Sequence, residues 1–234
     1  MLLGIAGMVG SGKTTLASSL AARFGLQLAL ESADEENPWL DAFYSGPDGM
    51  RTYALHLQLH FLATRFASMR RIRGLGGSWI LDRTWYEDAE VFAVGLHEQG
   101  YLSAEEWQLY HRLYKELLYA PAARPPRLMI YLHAPLDTTL ARIAERGRPK
   151  ERETDRAYFE QLHARYQRWI HGFRHCPVLS IDVRDYDLYR DSASAAEGIA
   201  SLVRQRLERE LPQTELWPTT READTASSSF GYRH

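Results

Sequence analysis

The sequence predicts an α/β protein: a five-stranded parallel sheet with helices on both faces, a three-layer sandwich. Short apolar runs at 2–6, 26–31, 79–81, 128–132 and 178–181 alternate with stretches of helical periodicity. Strands separated by helices pair in parallel, because each crossover returns over a face of the sheet. The first run also leads straight into Gly7-Met8-Val9-Gly10-Ser11-Gly12-Lys13-Thr14, followed by a helical pattern of Leu16, Leu20 and Phe24. A strand, a glycine-rich loop and a helix in that order are what a phosphate-binding G-x-x-x-x-G-K-[ST] motif needs.

Bulk composition narrows the function classes. At 234 residues and 45% hydrophobic, the chain can bury a full core, expected as one domain over residues 1–211. A formal net charge of −2 argues against a general nucleic-acid or anionic-membrane binder. The single cysteine, Cys176, excludes an internal disulfide framework and suits a reducing compartment; it reads as a small buried residue ahead of the last strand. The N-terminus lacks the basic region of a signal peptide, and no apolar run is long enough to span a bilayer. The expectation is a soluble, cytoplasmic protein acting on small molecules, with neither nucleic acid nor membrane as partner.

The remaining elements follow in order. Leu26 to Glu31 reads as a second strand ending in a carboxylate, and Pro38 as the start of a short helix through Phe43. Gly46-Pro47-Asp48-Gly49 reads as a turn ahead of a long helix from Met50 to Arg73, which Gly74 to Gly77 stops. Trp79 to Leu81 is a strand that delivers Asp82-Arg83 at its carboxyl end, and Thr84 or Trp85 begins another helix. Ser103-Ala104-Glu105-Glu106 is a capping box opening a helix to about Tyr119. Leu128 to Leu132 is the fourth strand, and Pro135 starts a helix carrying Leu136, Leu140 and Ile143. A charged segment separates that helix from an amphipathic one (Tyr158, Leu162, Tyr166, Trp169, Phe173). Val178 to Ile181 is the fifth strand, Ala195 to Leu207 the last helix. Residues 212–234 are polar, aperiodic and rich in Ser and Thr, the composition of a mobile tail.

Chemistry is expected beyond the carboxyl ends of the strands, where open parallel sheets bind ligands. In the P-loop the glycines let backbone N–H groups surround a phosphate chain, and the helix that follows turns its positive end to the same anion. Gly7, Met8, Val9, Gly10, Ser11, Gly12, Lys13, Thr14 and Thr15 form the candidate phosphate cradle for ATP, with Lys13 reaching the β- and γ-phosphates and the Thr14 hydroxyl on Mg²⁺. The expected fold is therefore a P-loop NTPase sandwich. Asp82 is either a second Mg²⁺ ligand or half of a structural ion pair with Arg83, which in the first reading bridges the phosphates as charge moves onto them. Glu31 is either a base that accepts a proton from an attacking hydroxyl or a solvated loop acid.

Gln58 and Arg65 lie seven residues apart on the long helix and share a face. Gln58 sits between Leu57 and Leu59, where an amide needs partners; a nucleobase edge supplies them, as would a backbone group. Asp88 is placed to neutralise Arg65. Arg142, Arg146 and Arg148 form the core of an arginine-rich lid over about 142–156, in which Gly147 permits a bend that drops the guanidiniums over the triphosphate.

Together these residues resemble the deoxynucleoside kinases, in particular the small bacterial deoxyadenosine/deoxyguanosine kinases of the thymidylate-kinase-like P-loop group. The likeness runs from Leu2 to about Asp182. It rests on the P-loop, Glu31, Asn37-Pro38-Trp39-Leu40, Leu57-Gln58-Leu59, Thr64-Arg65-Phe66, the run Asp82 to Asp88, and Arg146-Gly147-Arg148 with Glu151. The resemblance implies Glu31 as the base on the sugar 5′-hydroxyl with Arg83 beside it, and Tyr44 and Glu151 on the 3′-hydroxyl. It implies Gln58, Arg65 and Asp88 as readers of the base, the segment after Asp182 around the donor's adenine, and a homodimer. Ser32 follows Glu31 where the family often has Pro, Thr84 stands for the common Ser, and the lid carries Pro149 and Lys150 where others are more acidic.

The function expected is transfer of phosphate from ATP to the 5′-hydroxyl of a 2′-deoxynucleoside in nucleotide salvage, with a purine, deoxyguanosine or deoxyadenosine, favoured. A nucleoside monophosphate kinase would need cations on the acceptor phosphate and no carboxylate base at Glu31. A non-catalytic P-loop switch would need no nucleoside pocket.

Overall fold

The computed structural model describes residues 1–30, 37–148 and 154–210. The elements, in chain order, are β1 (Leu2–Gly7), α1 (Lys13–Phe24), β2 (Gln27–Ala29), α2 (Leu40–Phe43), α3 (Pro47–Leu75), β3 (Trp79–Asp82), α4 (Trp85–Glu87), a π-helical segment (Asp88–Ala93), and α5 (Val94–Glu98). They continue with α6 (Ala104–Leu118), a 3₁₀ turn (Pro121–Ala123), β4 (Leu128–His133), α7 (Leu136–Arg146), α8 (Arg156–Gly172), β5 (Val178–Asp182) and α9 (Ser192–Glu210). The five strands form one parallel sheet in the order β2-β3-β1-β4-β5.

Alternation along the strands splits the core in two. Leu3 and Ile5 of β1 and Leu128, Ile130 and Leu132 of β4 face α1 and α9, where Leu16, Leu20, Ile199 and Val203 complete an aliphatic layer. Ala6, Met129 and Tyr131 face the opposite way, into an aromatic layer built by Trp85, Tyr86, Tyr110, Tyr166 and Trp169. Tyr86, Tyr110 and Tyr166 are fully buried there. The register matters for the site: Ile5 pairs with Asp82, so the end of β3 stands beside the strand that feeds the glycine-rich loop.

Two local expectations are corrected. Gly46 to Gly49 is no turn ahead of the helix, because Pro47 is itself the first residue of α3; proline is favoured there since its missing N–H would be unsatisfied anyway. The helix after Asn37 begins at Leu40 rather than Pro38, because the Asn37 side chain accepts the Trp39 N–H (3.0 Å) and its carbonyl accepts the Leu40 N–H (3.2 Å), holding 37–39 as a turn. The Ser103 capping box forms as read, with Ser103 N–H donating to Glu106 Oε2 (2.8 Å) and Glu106 N–H to Ser103 Oγ (3.2 Å).

Candidate active site

The glycine-rich loop has the backbone its sequence requires. Gly7 (φ 147°) packs so tightly on β4 that a Cβ would lie 2.4 Å from the Leu132 carbonyl oxygen. Gly12 (φ 90°) enters α1 in the left-handed region and provides no side-chain cap. The first amides of the helix, those of Lys13, Thr14 and Thr15, have no acceptor within the helix and face the loop. The Lys13 ammonium donates to the carbonyls of Gly7 (2.8 Å) and Met8 (3.0 Å) and is buried with them.

Asp82 closes the other side. The Thr14 hydroxyl donates to Asp82 Oδ2 at 2.5 Å, and Asp82 Oδ1 is buried with no hydrogen-bond partner. A buried carboxylate oxygen without a partner is costly. Beside a phosphate cradle, two such oxygen ligands match a hard divalent cation, which takes one or two protein oxygens and the rest from phosphate and water.

Arg83 follows, the one non-glycine residue in the left-handed region among the described residues (φ 72°). That sharp reversal stores strain, which clusters at functional positions. It turns the guanidinium over the Phe92 ring, with Cζ 5.0 Å from the centroid.

Glu87, fully buried, was not singled out from the sequence. Its Oε1 accepts the Gly7 N–H (3.1 Å) and the Tyr166 hydroxyl (2.9 Å), and its Oε2 the Thr84 N–H (2.9 Å) and hydroxyl (3.3 Å). Burial pushes its pKa up, against the pull of Arg83 and Lys13 and of the two backbone amides. The pattern Thr84-x-x-Glu87 is a capping box visible in the sequence, although its reach back to Gly7 is not.

The residues expected to face a nucleoside lie on α3 and the π-helical segment. Arg65 Nε donates to Asp88 Oδ2 at 3.0 Å, and both side chains are buried. Gln58 is 3% exposed, and its amide oxygen has no partner. Phe92, one turn beyond Asp88, offers the aromatic face under Arg83. The Tyr110 hydroxyl, also buried without a partner, lies near enough to Asp88 to feel its charge, which adds to burial in raising the phenol's pKa. Tyr44 is 54% exposed at the end of α2, its ring edge-on to Phe43. Glu31 and Glu151 lie outside the described residues.

The guanidinium of Arg142 leans on the loop after β5. Its Nη2 donates to the Val183 carbonyl (2.9 Å), its Cζ sits 5.3 Å over the Tyr189 ring, and the Tyr189 hydroxyl donates to the Gly10 carbonyl (2.9 Å). Arg142, Val183 and Tyr189, with Arg184 and Arg190, line a cavity of ≈ 190 Å³ that Tyr189 joins to the phosphate loop. Gly147 (φ 69°) ends α7 in the left-handed region, leaving Arg146 half-buried and Arg148 exposed beside it.

A P-loop, a hydroxyl–carboxylate pair suited to a cation and buried polar side chains on α3 and the π-helical segment mark a nucleotide-binding protein of the P-loop class. Residues 3–207 match the family model for deoxynucleoside kinase, and the chain belongs to that family; it is an enzyme of that kind. It is 38% identical over 205 residues to a deoxyadenosine/deoxycytidine kinase of Bacillus subtilis, covering 86% of this chain and 93% of the relative. It is 32% identical over 197 residues to a deoxyguanosine kinase of Lactobacillus acidophilus, covering 81% and 83%. The fold is similar to that of a deoxyadenosine kinase from M. mycoides solved with bound dCTP, with a TM-score of 0.71 at 22% identity, covering 88% of this chain and all of that one. Among the described residues no helix is long and apolar enough to cross a membrane.

Proposed function

We propose that the chain transfers the γ-phosphoryl group of ATP to the 5′-hydroxyl of a purine 2′-deoxynucleoside, deoxyadenosine or deoxyguanosine. The observation that carries the base preference is the pairing of Gln58, an amide buried with its oxygen unmatched, with the buried Arg65–Asp88 ion pair. Gln58 offers one acceptor and two donors toward a base edge, the arrangement that reads adenine in bidentate fashion. Asp88 is an acceptor fixed in place for an exocyclic amino group. The named activities of the two relatives, both including a purine deoxynucleoside, support the same reading.

Glu31 takes the proton from the 5′-hydroxyl, and Arg83 holds the migrating phosphoryl group and the hydroxyl together. Tyr44 and Glu151 hold the 3′-hydroxyl, and Phe92 lies against the base. The amides at 7–15 and the Lys13 ammonium hold the β- and γ-phosphates, while Arg142, Arg146 and Arg148 close over them. Thr14 and Asp82 would hold Mg²⁺, whose charge would offset that developing on the phosphate oxygens. Catalysis is then mostly positioning and charge stabilisation. A homodimer, consistent with Leu109 (59% exposed) and Leu113 (40%) on α6, belongs to the same proposal; light scattering on the eluted peak tests it.

A coupled ADP-release assay with ATP·Mg²⁺ against deoxyadenosine, deoxyguanosine, deoxycytidine, thymidine and dTMP tests the reading. Turnover of a purine deoxynucleoside at the highest kcat/KM is expected. Turnover of dTMP alone overturns the acceptor side, as does a Glu31→Gln variant that keeps most of its activity.

A further inference from the structure

The π-helical segment Asp88–Ala93 carries both Asp88 and Phe92, and one carboxylate between them is gripped from three directions. Glu90 Oε1 accepts the Tyr114 hydroxyl of α6 at 2.7 Å and lies 2.8 Å from His175 Nε2, ahead of β5. Its Oε2 accepts the Trp169 indole N–H of α8 at 2.7 Å. The imidazole is itself stacked on Tyr86 of α4, with ring centroids 4.6 Å apart at 17°. Three separate parts of the chain therefore converge on this group, with Tyr86 of α4 backing the imidazole.

Its place on the helix is as telling as its partners. Glu90 is two residues from Asp88 and two from Phe92, so it points about half a turn away from both, whether the segment is wound as α or as π. The front of the segment presents Asp88 to Arg65 and Phe92 to Arg83. The back is Glu90. A π turn packs its backbone less well than an α turn and persists where tertiary contacts hold it, often at functional sites. Rewinding it to α would rotate Asp88 relative to α5 and slide Phe92 from under Arg83. Only an anchor on the opposite face can resist that without blocking the front, and Glu90, with its three hydrogen bonds to other elements, is such an anchor.

We infer that Glu90 is a positioning residue for the deoxynucleoside: by holding the π turn from behind, it sets where Asp88 and Phe92 meet the base. This inference rests on the proposal that Asp88 faces the acceptor. It assigns Glu90 no contact with substrate. Its effect falls mainly on the acceptor, because Glu90 bonds Tyr114, Trp169 and His175, whereas the phosphate loop meets this helix three residues earlier, at Glu87, whose bonds to Thr84 and Tyr166 do not pass through Glu90.

The test compares steady-state kinetics for Glu90→Gln, Tyr114→Phe, Asp88→Asn and Glu98→Gln, each with its melting temperature. Glu98 takes Arg165 of α8 at 3.0 Å and anchors α5 outside the π turn, so it serves as the control for a merely structural ion pair. Expected for Glu90→Gln is a rise of about tenfold in the KM for the deoxynucleoside, the scale of a small misplacement of reacting groups, with the KM for ATP within about twofold. Tyr114→Phe, which loses one hydroxyl from a retained ring, moves the same KM in the same direction by less and keeps the comparison available if Glu90→Gln does not fold. Glu98→Gln lowers the melting temperature without changing either KM. The inference is overturned if folded Glu90→Gln or Tyr114→Phe keeps the wild-type nucleoside KM while Asp88→Asn raises it, or if both KM values rise together. If Asp88→Asn itself leaves the nucleoside KM unchanged, the acceptor reading fails instead.

Discussion

The backbone N–H of Gly7 donates to Oε1 of Glu87 at 3.1 Å, tying the first glycine of the phosphate loop to the helix that carries the acceptor side. The same carboxylate takes Thr84 and Tyr166, so β1, the turn after β3 and α8 meet on one side chain. Every partner in the set donates. An amide in its place would turn its own N–H groups toward some of them.

Glu87→Gln and Glu87→Ala are therefore expected to destabilise the fold, the alanine by about 3–5 kcal/mol, the cost of stripping one partner from a buried charged network. Urea denaturation followed by circular dichroism reads this. A midpoint unchanged in the alanine variant would show that the network contributes nothing net.

Thr14→Val removes the hydroxyl but keeps the shape, and frees Asp82 from its 2.5 Å hydrogen bond. Asp82→Asn removes a charge from the same pair. Both variants are expected to need several-fold more Mg²⁺ for half-maximal rate, and to lose on the order of 100-fold in kcat at fixed Mg²⁺. A Mg²⁺ titration at saturating ATP and nucleoside measures it.

Gln58→Leu sets function against stability. It deletes a buried amide whose oxygen has no partner, so the melting temperature is expected to hold or rise. On the proposed reading, the same change also removes a bidentate contact with the base, with an expected cost of about 1–3 kcal/mol of discrimination, roughly a tenfold to hundredfold loss in the preference for the best base over the worst. Thermal unfolding alone and the ratio of kcat/KM across the nucleoside panel check the two halves separately.

Burial raises the pKa of Glu90, but hydrogen bonds from His175, Tyr114 and Trp169 and the charge of His175 outweigh it and hold the carboxyl below its ordinary value of 4.5. A group depressed in the folded state stabilises the fold above its unfolded pKa and loses that contribution as pH falls through the folded value. The wild type is thus expected to lose stability below about pH 4.5 more steeply than Glu90→Gln. The difference appears in melting temperatures taken from pH 6 to pH 3, and parallel curves would contradict it.

Much of this was legible in the chain itself. The P-loop, the five strands and the Ser103 cap rest on local signals, and they formed where those signals lie. Arg65 and Asp88 meet as their spacing on successive helices suggested. The π turn left no local mark, because its i to i+5 bonding is imposed by neighbours rather than by residue preference. Glu90 was equally silent: its partners stand at 114, 169 and 175, and only packing brings them together. The contacts of Arg142 with Val183 and Tyr189 were equally silent, since they join residues some forty positions apart, and they leave its Nη1 buried without a partner beside the phosphate loop.

The Lys13 ammonium, folded onto the carbonyls of Gly7 and Met8, makes the loop its own competitor. A nucleotide gains the lysine only after it outbids two backbone oxygens that already hold it. A single phosphate offers little more than those oxygens do, whereas adjoining β- and γ-phosphates offer concentrated charge and several acceptors at once. If Lys13 takes the β- and γ-phosphates as proposed, the number of phosphates sets how fully it is drawn off its own backbone.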